Sequence, residues 1–142
     1  MLSREANEQD WVQAVPFLVE AVTVSPSCTL VDVNIELVLA YLMAAATRGG
    51  AYVIDEKYLV VYDYHPMWYA PDCMTVNEQL VLCIAPDKPG TVLAPIKFLV
   101  DEKLRLGARH LLIGDLLHTN QDKYGRVLTK LGFSKVNTVY AT

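Results

Sequence analysis

The chain has 142 residues, of which 53% are hydrophobic and 20% charged, and a net charge of −4; this is one domain of ordinary size, slightly richer in apolar residues than a typical soluble domain. Its longest apolar run, LVLAYLMAAA at 37–46, falls short of the ~18 residues a membrane span needs, and the acidic start MLSREANEQD is unlike a signal peptide, so a cytoplasmic protein without membrane association is expected. The basic residues thicken only mildly between Lys97 and Lys135, spaced as on a solvated helix surface, and no nucleic-acid partner is expected.

Leu2–Glu5 fits a short first strand. Trp11, Val15, Leu18 and Val22 then recur at helical spacing over 8–23, with Pro16 either kinking this helix or starting its second part. After the loop SPSCTL, Asp32 or Asn34 caps a second helix whose Ile35, Val38, Leu39, Leu42 and Ala46 share a face, stopped by Gly49-Gly50. The period then changes. Ala51–Asp55 and Tyr58–Tyr64 are β-branched and aromatic around the turn DEK, which predicts a hairpin. The proline-containing HPMWYAPDC reads as a loop, TVNEQLVLCIA as a long strand and PDKPG as a break. A helix follows over Thr91–Leu106, striped by Val92, Leu93, Ile96, Leu99, Val100 and Leu104 and capped by Gly107, with Pro95 near its first turn. HLLIGDLL is a buried strand and HTNQD a turn. Residues 121–131 form a helix striped by Tyr124, Val127, Leu128 and Leu131 before Gly132, and FSKVNTVYA alternates as a last strand. The order (β)-α-α-β-β-β-α-β-α-β predicts an α/β (α+β) domain over 1–142, with helices on both faces of a mixed sheet.

The strand–loop–helix–strand block at 78–115, followed by LTKLGF, resembles the GNAT superfamily of acyl-CoA-dependent N-acyltransferases, and the likeness covers nearly the whole chain. In that family a Q/R-x-x-G-x-G/A loop runs into a helix N-terminus and holds the acyl-CoA pyrophosphate, a sensible place for an anion. Asp87-Lys88-Pro89-Gly90-Thr91-Val92 matches it with Gly90 alone of the glycine pair; Asp87 places a negative charge near a phosphate, and Pro89 supplies no N–H. HLLIGDLLHTN matches the family's next strand with its trailing Asn120. The tyrosine that often protonates the leaving thiolate corresponds to Leu128, and Tyr124 lies one turn earlier, about 5–6 Å along the helix.

The resemblance implies acetyl-CoA as acyl donor and an amine as acceptor. Lys88, Gly90 and Thr91 would lie at the pyrophosphate, the backbone of Leu82–Ile84 at the acyl group, and Asn120 and Tyr124 near the sulfur, with Glu78 as base. Strand alternation places Glu78, Leu80, Leu82 and Ile84 on one face and Gln79, Val81 and Cys83 on the other. Asn120 also reads as an ordinary N-cap, His118 as a turn histidine and Asp115 as a strand's solvent end. His65, His110 and His118 make no metal set, and Cys28, Cys73 and Cys83 have no C-x-x-C spacing, so bland thiols are expected. The alternative is a catalytically degenerate GNAT fold used as a structural or interaction subunit, for example of a phage virion. For that reading the aromatic stretch Tyr62–Tyr69 offers a contact surface, with core capping as its other use. The nine residues after Phe133 leave little room for a further strand, so an exposed C-terminal edge would meet a partner or a second copy.

Overall fold

The computed structural model describes residues 1–25, 32–114 and 121–136. Its elements run β1 (Ser3–Glu5), α1 (Glu8–Val24), α2 (Ile35–Arg48), β2 (Gly50–Ile54), β3 (Tyr58–Met67), β4 (Ala70–Cys83), α3 (Leu93–Leu106), β5 (His110–Leu112) and α4 (Gln121–Lys130). The strands form one sheet in the order β1-β2-β3-β4-β5, antiparallel except for the parallel pair β4–β5. The expected mixed sheet and helix order are present. The last strand expected over 133–141 falls largely outside the described residues, and 133–136 form no strand.

Sequence chemistry accounts for the helix ends. Asn7 and Asp10 make a reciprocal capping box at the start of α1, which runs unbroken through a solvent-facing Pro16. Asn34, rather than Asp32, caps α2 through the amide of Leu37. Gly107 ends α3 at φ 67°, a left-handed geometry suited to glycine. The α3 stripe is displaced from the apolar spacing: Ile96, Phe98, Leu99 and Glu102 are buried, whereas Leu93 and Leu104 are exposed. Glu102 takes a core position because its charge is met there.

The sheet separates two apolar layers. Ala14, Leu18, Leu42 and Ala45 from α1 and α2 meet Val53, Leu59, Val61, Leu80, Leu82 and Ile84 on one face. On the other, Phe98 and Leu99 of α3 meet Ile54, Val60, Tyr62, Val76 and Val81. Tyr62 donates to Glu102 Oε2 at 2.5 Å, and Arg105 pairs with the same carboxylate at 2.7 Å. Hydrogen bonds from Arg105, and then from Tyr62, hold the Glu102 carboxyl below its usual range. Burial first, and then Glu102, push the Tyr62 phenol up.

The sign for stability follows from proton linkage. Glu102 contributes above its ordinary pKa of 4.5, and that contribution is lost as pH falls below it; Tyr62 contributes below its ordinary 10.0 and loses that as pH rises. Glu102→Gln is therefore expected to flatten the fall in melting temperature between about pH 6 and pH 3. An unchanged slope would assign acid sensitivity to Asp10 and Glu56 instead, which Arg4 also holds low.

The expected loop HPMWYAPDC is instead hairpin. β3 continues to Met67 and β4 begins at Ala70, with Trp68-Tyr69 as the turn and Pro66 still in register with Met74. Prolines argue against a central strand, but Pro66 and Pro71 are exposed at this end of the hairpin, where a missing ladder N–H costs little. The aromatic stretch divides accordingly. Tyr62 belongs to the core, whereas Trp68 is 90% exposed and Tyr69 packs edge-on against it.

Candidate functional site

The site begins with an irregularity in β4. Val61 pairs with Leu80 but Tyr62 pairs with Glu78, so Gln79 is an extra residue, a bulge that bends the strand and reverses its alternation. The expected common face for Glu78, Leu80, Leu82 and Ile84 is therefore wrong. Glu78 lies opposite Tyr62 and shares the α3 side, whereas Leu80, Leu82 and Ile84 share the α1–α2 side.

At the same place β4 parts from β5. Their pairing covers Thr75–His110, Val76–Leu111 and Asn77–Leu112 and ends there, while β4 continues to Cys83. Among the described residues no strand pairs with this outer edge of β4 beyond Asn77. The Ile84 amide donates to Lys57 O at 2.8 Å, and its carbonyl accepts from Gln13 Nε2 at 2.8 Å. Alternation then turns the Leu82 amide toward β3 as well. Of the expected range Leu82–Ile84, the amides of Leu82 and Ile84 thus turn into the sheet toward β3, whereas that of Cys83, like that of Val81, faces the edge that no described strand pairs.

β4 leads through residues 84–92 into α3. Lys88 donates its amide to Ala85 O at 3.1 Å. At the helix start the Ala94 amide turns back to Thr91 O at 3.2 Å, Leu93 makes a long 3.4 Å contact with Thr91 Oγ1, and Pro95 has no N–H. The amides of Gly90, Thr91 and Val92 donate to no acceptor among the described residues. Gly90 has φ 129°, a conformation that L side chains rarely adopt. The loop's carbonyls are held from behind: Lys57 Nζ donates to Lys88 O at 2.8 Å and to Gly90 O at 3.0 Å. Outward amides beside a strand edge that is unpaired among the described residues can receive an extended ligand with an anionic end. Asp87 opposes that charge from an exposed position, while the exposed Lys88 favours it.

Tyr124 on α4 is 4% exposed, on the inward side with Val127 and Leu128. Asn120, His118 and Asp115 lie outside the described residues, as does Cys28; Cys73 and Cys83 are free thiols. Among the described residues no three His, Cys, Asp or Glu side chains gather as metal ligands, and no helix is long and apolar enough to cross a membrane. A separate shallow depression of about 310 Å³, lined by residues including Glu5, Trp11, Met43 and Tyr52, opens between α1, α2 and β2. It is away from the parted strands and belongs to a different surface.

No family model and no curated protein matches the sequence. Solved structures do. A ribosomal-protein-alanine N-acetyltransferase from Brucella melitensis biovar Abortus 2308 superposes with a TM-score of 0.65 at 11% identity, covering 100% of this chain and 99% of the other. The tetramutant of BH1408 protein from Bacillus halodurans gives 0.67 at 14% identity, with 100% and 99% covered. TTHA1254 from Thermus thermophilus gives 0.59 at 15% identity, with 100% and 95% covered. At such identities the likeness establishes the fold.

Proposed function

From the premise that this chain has the GNAT fold, we propose that it binds an acyl-CoA thioester, with acetyl-CoA as donor, along the free edge of β4 and passes the acyl group to an amine. The observation that carries this reading is the continuity of the parted β4 edge with the outward amides of Gly90, Thr91 and Val92. The thioester supplies an activated acyl group. The loop amides and Lys88 would hold its pyrophosphate, and the Val81 and Cys83 amides, facing the free edge, would polarise the acyl carbonyl. The amine nitrogen forms a C–N bond as the C–S bond breaks; the nitrogen loses one proton and the thiolate gains one. Glu78, partly buried on the α3 side of the bulge, is the nearest acid in sequence to accept the first. Tyr124 would have to deliver the second from a buried position, since Leu128 has no proton to give.

Release of free thiol from acetyl-CoA, followed with peptides bearing N-terminal alanine or lysine and with polyamines, tests catalysis. Amine-dependent release lost in Glu78→Gln supports the reading. A protein that binds acetyl-CoA but releases no thiol with any amine supports the second reading, a GNAT fold without chemistry that acts as an interaction subunit.

Leu128 and the exposed Trp68–Tyr69 tip favour that second reading. There the tip, rather than the loop, carries function through a protein partner or a second copy. Trp68→Ala is expected to change folding stability by less than about 0.5 kcal/mol and to leave acetyl-CoA affinity unchanged. A fall in sedimentation coefficient on this substitution would identify the tip as a self-association surface; an unchanged value excludes that role.

A further inference from the structure

We infer that Lys57 is a positioning residue for the anion-binding loop: it holds the Lys88 and Gly90 carbonyls from behind so that the Thr91 amide faces the ligand. The inference rests on the acyl-CoA reading of that loop and adds a residue 31 positions before Lys88, outside the loop motif.

The turn that presents Lys57 is unusual. Ile54 and Lys57 close a two-residue hairpin turn with a 3.0 Å backbone hydrogen bond, and both central residues have positive φ, Asp55 at 53° and Glu56 at 54°. Such a turn fits the twist of a hairpin, but Asn-Gly or Gly-Gly normally fills it. Two acidic residues in left-handed conformations are strained, and β1 compensates. The Leu2 amide donates to Asp55 Oδ1 and the Asp55 amide to Leu2 O, each at 2.8 Å, while Arg4 pairs with Glu56 at 2.6 Å. The turn is thus fixed from the side opposite the loop.

From this anchored turn Lys57 reaches β4 and the loop together. Its carbonyl accepts from Ile84 at the end of β4, and its ammonium donates to Lys88 O and Gly90 O. In a trans peptide the C=O and N–H point in opposite directions. Directing the Gly90 carbonyl at Lys57 therefore directs the Thr91 amide away from it. The positive φ of Gly90 allows this arrangement, and a Cβ there would lie 3.7 Å from Lys57 Cδ. Two of the ammonium's three N–H groups go to loop carbonyls, so its main effect on a bound anion is exerted through the loop's conformation.

The test is calorimetric titration of acetyl-CoA into the parent, Lys57→Met and Lys57→Arg proteins at several salt concentrations, with the melting temperature of each. Positioning predicts roughly tenfold weaker binding in Lys57→Met, recovery in Lys57→Arg, and an unchanged slope of log Kd against log salt, since no phosphate contact is removed. Equal affinity in the parent and Lys57→Met overturns the inference and leaves the acyl-CoA reading intact. Weaker binding with a shallower salt slope makes Lys57 a direct phosphate ligand and also overturns it. A folded parent that does not bind at millimolar acetyl-CoA overturns the acyl-CoA reading and this inference together.

Discussion

Replacing Gly90 by glutamate is expected to reduce acetyl-CoA affinity at least a hundredfold, about 2.8 kcal/mol, while the protein remains folded. Three effects act at one position. The backbone has φ 129°, where a side chain is strained by roughly 1–3 kcal/mol. The carboxylate would stand within reach of Lys57 Nζ and compete with the carbonyls of Lys88 and Gly90 for it. It would also bring a negative charge to a loop whose outward amides suit an anion. Gly90→Ala separates these contributions, because it adds strain without charge, and about a tenfold loss is expected of it. Comparable losses in the two variants would show that backbone geometry alone controls binding. Full affinity in Gly90→Glu would remove the ligand from this loop.

The largest expected effect on stability comes from Gly49→Ala. A Cβ at Gly49, between α2 and β2, would overlap Tyr62 O and lie 2.8 Å from both Tyr62 C and Tyr62 Cδ2. A ring can rotate away, but the Tyr62 carbonyl belongs to the central strand β3, between β2 and β4. The Tyr62 side chain is also held by Glu102 below it. Relief therefore requires α2 to move off the sheet, at a cost of roughly 3 kcal/mol. In a domain of this size that lowers the melting temperature by roughly 10 °C. A drop of only one or two degrees would mean that the α2–β2 junction yields easily, and that the close approach at Gly49 is not a constraint on the core.

Gly49 and Gly90 were both legible in the sequence as breaks, and so was most of the architecture. The stripes of α1 and α2, Asn34 among the candidate caps, Gly107 and the change of period after Gly50 rest on local chemistry, which sequence carries well. What was not legible depended on pairing. A one-residue bulge at Gln79 leaves no mark in NEQLVL, whose apolar residues fit either alternation, so regular alternation puts Glu78 on the wrong face, and nothing in Leu82–Ile84 reveals that of these three only Cys83 turns its amide outward. Sequence ends the strand Tyr58–Tyr64 before HPMWYAPDC because prolines weigh against strands, and the exposure of the far end of the β3–β4 hairpin is known only from the fold. Glu102 interrupts an apolar stripe and reads as a surface charge until Tyr62 and Arg105 are placed beside it. Lys57 sits in a turn that lacks the usual glycine, and its carbonyl partners are 31 and 33 residues away. The loop's glycine was readable because it lies in one short motif; the residue behind the loop was not.

The central claim, that an acyl-CoA lies along the free edge of β4 with its anionic end on the loop, is tested most directly by amide NMR. The ¹⁵N-labelled protein is titrated with acetyl-CoA and the shifts are assigned. The predicted result is saturable movement of the Gly90, Thr91 and Val92 amides together with those of Val81 and Cys83, while the Trp68 and Tyr69 amides stay in place. Saturable shifts confined to the depression between α1, α2 and β2, or no shift at millimolar ligand, would contradict it.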